Sequence, residues 1–286
     1  MSTASSRGGL IPALLKQWRA QRGMSQLDLA VAAEVSARHI SFLETGRSTP
    51  GPEMVRRLGA VLGVPLRQVN VMLVAAGHAP AYEESEDGLP APADHAVQLL
   101  KAHHEPFPLV VIDRCYRVVD LNRGALAVMA ALLGLPAPTE APRSDDVAAL
   151  GLNLARLTFD PDGAQPYLVN FDDVGRELLW RIQREVLADP DDGELHDLLD
   201  ELLAMPTVSA EWRHVDLSVP SEPSLVLHLR RDDVELRFLA MVTAFQVPQD
   251  VAVEQVRIET WLPYDETTAA ACRSLGGALP RPDAGS

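Results

Sequence analysis

Apolar residues recur every three to four positions from Leu10 onward, and the recurrence breaks at short, regular intervals. Leu10, Leu14 and Trp18, widened by Ile11 and Leu15, predict a first helix that Gly23 ends. Ser25 suits the N-cap of a second, running through Leu27, Leu29, Ala30 and Ala33. Ser36 caps a short third helix with Ile40 and Leu43 inward and Gly46 at its C-terminal end. After the STPGP loop, Met54, Val55, Leu58, Val61 and Leu62 predict a fourth. Leu66, Val69, Met72 and Leu73 predict a fifth, which stops near Gly77. Residues 10–80 thus read as an all-α, five-helix domain behind a flexible tail at 1–9. Residues 78–94 (HAPAYEESEDGLPAPAD) are rich in Pro, Ala and acid, and 81–94 is expected to be a linker.

The period then changes. A helix from about Asp94 to His103 leads into two β-rich runs, Pro106 to Ile112 and Tyr116 to Leu121. The polar Asp113-Arg114-Cys115 between them predicts a hairpin. Asn122 ends it, an Ala/Leu-rich helix runs to Leu135, and a Pro-rich loop runs to Arg143. Further helices are expected at Val174–Leu187 and Glu194–Met205, and strands at Leu225–Arg230, Glu235–Phe245 and Val253–Leu262. Strand, strand, helices and three strands is an α+β pattern with an antiparallel sheet, placed at 95–272 before a tail at 273–286. No internal repeat is visible.

Charge sharpens this division. The net charge is −15 over 286 residues, but residues 1–80 carry +5 and residues 81–286 carry −20. A basic head on an acidic body fits a head that meets DNA. The two cysteines, Cys115 and Cys272, have no framework or CxxC spacing, which excludes a disulfide scaffold and a Cys-rich zinc module. The opening MSTASSRGG has no apolar signal core, and the longest apolar run, Ala125 to Leu135, is too short to span a bilayer. A cytoplasmic protein with no membrane insertion is expected.

The chemistry of the head lies in residues 25–46, SQLDLAVAAEVSARHISFLETG. In a helix-turn-helix, one helix braces on the phosphates while the next presents side chains to base edges in the major groove. With Ile40 and Leu43 inward, Ala37, Arg38, Ser41 and Phe42 face outward, with His39 beside them and Ser36 at the helix start. Arg38 is positioned to grip a guanine edge or a phosphate. Phe42 is either a contact for a thymine methyl or partly packed.

These residues resemble the phage-repressor-like family of helix-turn-helix regulators. The likeness covers residues 10–80 and rests on Ser-Gln-x-x-Leu-Ala at 25–30 and Leu-Glu-x-Gly at 43–46. It implies that Gln26 meets phosphate, that Ala37, Arg38 and Phe42 face bases, and that Arg47 touches backbone from the following loop. It also implies a pairing of Arg19 with Glu44. Glu34 stands where that family has a turn glycine, so a left-handed backbone is expected there at a cost of about 1 kcal/mol.

For the second domain, three readings stand: a ligand sensor, an enzyme, or an interaction and dimerisation module. The enzyme reading is the weakest, because GxSxG, P-loop and GxGxxG motifs are missing from the sequence. His103-His104-Glu105 cannot face one point, and Asp189–Glu194 lacks the length of a calcium loop. His196, His214 and His228 are spread out and define no triad.

Residues 107–135 resemble the opening of a PAS-like domain. The hairpin together with SARHISFLETG, NLARLTF and TAFQVPQDVAVEQVRIETWLPYDE resembles helix-turn-helix regulators carrying an MmyB-like ligand-binding domain. That resemblance covers residues 10–272. It implies a PAS-like fold, a homodimer on an operator in double-stranded DNA, and a lipophilic ligand of fatty-acid type; no catalytic residue, metal or other cofactor is expected. Such a ligand needs an apolar tunnel, worth roughly 0.8 kcal/mol per methylene, and a polar mouth for its carboxylate. Asn153 and Arg156 are the first candidates for the mouth, and Asn122 and Arg123 the second. Val119, Leu121, Phe238 and Met241 are candidates for the tunnel, although core packing accounts for them equally well.

Overall fold

A computed structural model of the chain describes residues 10–83, 88–135, 144–190, 192–219, 224–245, 248 and 250–277. The expected tail at 1–9, most of the Pro-rich loop before Arg143, and part of the expected linker lie outside these residues. The chain forms two compact units. Unit 1 comprises Met1–Pro90 with Gln246–Glu254, and unit 2 comprises Ala91–Phe245 with Gln255–Ser286.

Unit 1 contains α1 (Leu10–Gln21), α2 (Gln26–Ala32), α3 (Ala37–Glu44), α4 (Pro52–Leu62) and α5 (Leu66–Ala75). Its core gathers Ile11, Leu15 and Trp18 with Leu29, Ile40, Leu43, Leu58 and Leu73. The buried stripe of α1 is therefore Ile11–Leu15–Trp18, with Leu10 half exposed. Likewise α2 turns Leu29 and Ala30 inward and leaves Leu27 in solvent, because the helical period cannot bury position 27 along with 29 and 30.

Local chemistry fixes the helix ends. Ser25 and Asp28 form a reciprocal capping box at the start of α2. Its end is a Schellman turn, in which Val35 N–H reaches Ala30 O and Glu34 N–H reaches Val31 O. Glu34 occupies the left-handed position at φ 54°, as the missing glycine led us to expect. Arg22 caps the last carbonyls of α4, at Leu62 and Gly63. Gly59 lets α4 and α5 approach closely, since a Cβ there would lie 2.7 Å from Val69. Residues 250–254 add to this unit from late in the chain: Val251 N–H bonds Glu83 O, and the Glu254 carboxylate accepts from Leu66 N–H at the start of α5.

Unit 2 contains α6 (Ala91–His104), β1 (Leu109–Ile112), β2 (Val118–Leu121), α7 (Arg123–Leu133), α8 (Ser144–Ala149), α9 (Leu154–Phe159), α10 (Phe171–Ala188) and α11 (Gly193–Ala204). Then follow β3 (Ser224–Arg231), β4 (Val234–Ala244), β5 (Arg257–Pro263) and α13 (Glu266–Gly277); α12 (Val251–Gln255), between β4 and β5 in the chain, belongs to unit 1 in all but its last residue. The strands make one sheet in the order β2-β1-β5-β4-β3, with every neighbouring pair antiparallel.

Several element boundaries differ from expectation: β1 begins at Leu109 rather than Pro106, β2 at Val118 rather than Tyr116, and α10 at Phe171 rather than Val174. α6 begins inside the expected linker, at Ala91, because a proline in the first turn needs no intrahelical donor. The last strand starts at Arg257 rather than Val253, because the Asp250 carboxylate accepts from Ala252 N–H and opens a helical turn. The region from 273 continues as α13, which begins earlier, after Asp265 accepts from Thr268 N–H.

Register decides which side chains share a face. Leu225 opposes Ala240, which opposes Trp261, and Val242 opposes Glu259. Leu225, Leu227, Leu229, Ala240, Glu259 and Trp261 therefore lie on one side of the sheet. α10 and α11 bring Leu179, Ile182, Leu198 and Leu202 into a core with Phe159 and Trp212.

Candidate nucleic-acid interface and ligand cavity

In unit 1, α3 carries the outward face. The Ser36 hydroxyl accepts from His39 N–H at 3.1 Å, fixing the helix start. Ile40 and Leu43 are buried, Arg38 and Arg47 are exposed, and Ala37, His39, Ser41 and Phe42 are half-buried. Arg38 and Arg47 lie over the Phe42 ring, at 5.1 and 5.9 Å from its centroid. Phe42 thus acts as a platform for two guanidinium groups, one from the first turn of α3 and one from the loop that follows it.

Below that face sits a polar anchor. Arg19 donates twice to Glu44, at 2.5 and 3.0 Å, and Gln26 donates to the same carboxylate at 2.8 Å. Burial pushes the Glu44 pKa up, but the bonds from Arg19 and Gln26 and the charge of Arg19 hold it below the usual carboxylate range. The expected Arg19–Glu44 pairing is present. Gln26 reaches from the first turn of α2 into the same network, so α1, α2 and α3 share one carboxylate.

In unit 2, a cavity of about 280 Å³ lies between the helices and the sheet. Its apolar wall includes Met129, Leu132, Leu168, Leu178, Leu225 and Leu227. Five polar side chains form one pole: Tyr116, Arg181, Glu185, Arg257 and Glu259. On α10, Val174, Leu178, Arg181 and Glu185 line the cavity at helical spacing, so two charges continue an apolar stripe. On β5, Arg257, Glu259 and Trp261 alternate onto one face.

Part of this pole is tied together. Arg257 donates to Glu185 at 2.6 Å, and the Tyr116 hydroxyl donates to the other Glu185 oxygen at 3.1 Å. Tyr116 holds a left-handed backbone at φ 62°, rare for an aromatic residue, and this turns its ring into the cavity. Burial and the nearby Glu185 carboxylate raise its pKa, so it remains a phenol. Burial alone would lower the Arg257 pKa; the Glu185 charge, together with Tyr116 and the hydrogen bonds to both, outweighs that and raises it. Glu259 accepts from the Trp261 indole N–H at 2.8 Å. Burial raises its pKa despite that bond and the charge of Arg181.

The residues singled out in the sequence lie elsewhere. Asn122 caps α7: its oxygen accepts from Leu109 and Ala125 N–H, and its amide donates to Phe107 O. Asn153 caps α9 and donates to Cys115 O. Arg123 donates to Gly276 O. Arg156 forms a half-exposed, two-pronged pair with Glu201. Leu121 and Phe238 belong to the buried cores, Val119 is half-buried, and Met241 is exposed. Phe238 has the parity of Ala240 and Val242, whereas Met241 points to the opposite side of the sheet. None of the eight lines the cavity. Asn122→Ala would leave Leu109 N–H and Phe107 C=O without their partner. The expected cost is about 2–4 kcal/mol in chemical denaturation, with ligand affinity per folded molecule unchanged.

Among the described residues, no group of three His, Cys, Asp or Glu could hold a metal ion. No described helix is long and apolar enough to cross a membrane.

Known proteins add the following. A helix-turn-helix family matches residues 15–69, and the family described as MmyB-like transcription regulator ligand binding domain matches residues 93–275. Over 71 residues the chain is 38% identical to an uncharacterized HTH-type transcriptional regulator, RghRB, of Bacillus subtilis (strain 168). That likeness covers 24% of this chain and 49% of the relative, so the chain spans about half of its length. A solved RNA-binding Light-Oxygen-Voltage receptor covers 94% of this chain and 62% of its own, at 11% identity and a TM-score of 0.28. A likeness that low carries no argument about fold or function.

Proposed function

This chain belongs to the family of transcription regulators with an MmyB-like ligand-binding domain, a DNA-binding regulator with a sensor unit, and we propose that it binds its operator as a homodimer under control of a fatty-acid-type ligand. The observation that carries the ligand reading is the cavity: an apolar wall closed by one charged pole suits an amphiphile with a single polar head. Arg181 and Arg257 replace Asn153 and Arg156 as our candidates for the head group, because both line the cavity. The strand order β2-β1-β5-β4-β3 supports a PAS-like reading of unit 2.

The chain also offers a route for the signal. Ala240 and Val242 of β4, and Glu259 and Trp261 of β5, line the cavity, while the segment joining these strands contributes residues 250–254 to unit 1. A ligand that favours one strand arrangement shifts the DNA-competent population by its differential affinity, and by no more.

Two measurements test this reading. Native and denaturing mass spectra of the purified protein are expected to show a dimer that releases a lipid-sized molecule or takes up added fatty acid. A dimer that neither holds nor takes up such a molecule would leave unit 2 a dimerisation or protein-partner module. For DNA, Arg38→Ala is expected to relax the preference at one base pair of each half-site by about 1–3 kcal/mol, read from binding to a panel of operator variants. A uniform loss across the panel, with a shallower salt dependence, would make Arg38 a phosphate contact.

A further inference from the structure

The cavity pole has a charge balance that an acid head group must disturb. Arg257 is paired with Glu185, and Tyr116 gives its hydroxyl proton to the same carboxylate. Glu259 holds one bond, from the Trp261 indole. Arg181 lines the cavity without joining the Glu185 pair, and its charge acts on both Glu259 and Tyr116. With Glu185 and Glu259 ionised, two guanidinium groups face two carboxylates and the pole is neutral. An arriving carboxylate would then place a third negative charge against two positive ones inside an apolar enclosure. Like charges sharing such a site cannot all stay ionised.

We propose that Glu259 takes up a proton as the cavity takes up an acid ligand, so that this protein binds a carboxylate and a proton together. The proton lies between Glu259 and the ligand carboxylate, with Arg181 balancing the one remaining negative charge. The proposal rests on the ligand reading above and deepens it by naming the residue that selects the head group.

Glu259 is the group in the pole suited to this. Glu185 is locked by two donors and by the full charge of Arg257, whereas Glu259 has a neutral indole partner. Burial raises its pKa, so it takes up a proton more readily than an exposed carboxylate does. The other titratable groups facing it are Arg181 and Glu185 from α10, Arg257 from its own strand and Tyr116 from the β1–β2 turn. The lining from α7, α9, β3 and β4 adds no titratable group, and the Thr158 hydroxyl is spent on Leu154 O. Arginine keeps its proton throughout, and Tyr116 is held as a phenol, so the affinity for acids should follow one proton.

The test uses the full chain, with decanoate and decanol as probes, titrated by calorimetry from pH 6 to 9. Decanoate affinity is expected to fall by up to about tenfold per pH unit once Glu259 of the empty cavity ionises. Decanol affinity should stay flat. In that upper range, titrations in two buffers of different ionisation enthalpy should count close to one proton taken up per decanoate. Glu259→Gln keeps the size and a donor for the carboxylate, so it should bind decanoate with no pH slope and at least as tightly as the parent at pH 8. A flat decanoate profile in the parent, or a slope that survives in Glu259→Gln, overturns the proposal while leaving the ligand reading intact. Failure of the folded parent to bind either probe at any pH overturns both.

Discussion

Arg19→Ala is expected to destabilise unit 1 by about 3 kcal/mol near neutral pH. The side chain of Glu44 is only 2% exposed and receives two of its three hydrogen bonds from Arg19. Removing the cation leaves a buried carboxylate with Gln26 as its remaining donor. The pH dependence has a definite sign. The Glu44 pKa is depressed in the folded protein, so its contribution is fully present above the ordinary carboxylate range and is lost as pH falls through the folded value. The loss caused by Arg19→Ala should therefore be largest at pH 7 and shrink toward pH 4, where the stranded carboxylate takes a proton. Hydrogen exchange of the α1–α3 amides as a function of pH measures this directly. A loss that is the same at both ends of the range would mean that Arg19 acts through packing rather than charge. Because Arg38 stands on the helix that Glu44 ends and Arg47 on the loop that follows it, operator binding should weaken in step with the population of folded unit 1.

Phe238→Ala should cost unit 2 about 3–5 kcal/mol. The ring is fully buried, opposes Leu227 across the β3–β4 ladder, and lies 5.7 Å from the Trp261 ring. Leu236, Val128 and Leu132 complete its surroundings, so truncation opens a void that rigid strands cannot close. Exchange protection of the β3–β5 amides is the readout. If protection were kept while decanoate affinity fell tenfold, Phe238 would be a ligand contact rather than a core residue.

The two units were not equally legible in the sequence. In unit 1 the starts of α2 and α3 are local: Ser25 with Asp28 and Ser36 with His39 follow from short-range chemistry, whereas Arg22 reaches the end of α4 from 40 positions away. The long-range Arg19–Glu44 pair was reachable only through resemblance. In unit 2 the elements were visible from period and turn residues, yet the cavity was not. Asn122 and Asn153 look like donors for a ligand, but an Asn just before a helix is spent on its own backbone. Arg156 looks like an anion site until Glu201, 45 positions away, folds against it. The informative signal was two pairs of charges where apolar side chains belong: Arg181 and Glu185 on the stripe begun by Val174 and Leu178, and Arg257 and Glu259 on the parity of Trp261. α13 carried a readable start at Asp265, followed by Ala269, Ala270 and Ala271.

The contribution of residues 250–254 to unit 1 bears on how such regulators can be recombined. A cut at Pro90 looks like a clean seam between a DNA reader and a sensor. It would strip the Glu254 carboxylate from the first turn of α5 and the Val251 N–H from Glu83. A chimera joined only there would carry a reader with an uncapped fifth helix and a sensor whose β4–β5 connection had lost its seat. Exchange of the reader between relatives therefore requires residues 246–254 to move with residues 1–90, and the two stretches of sequence must change together.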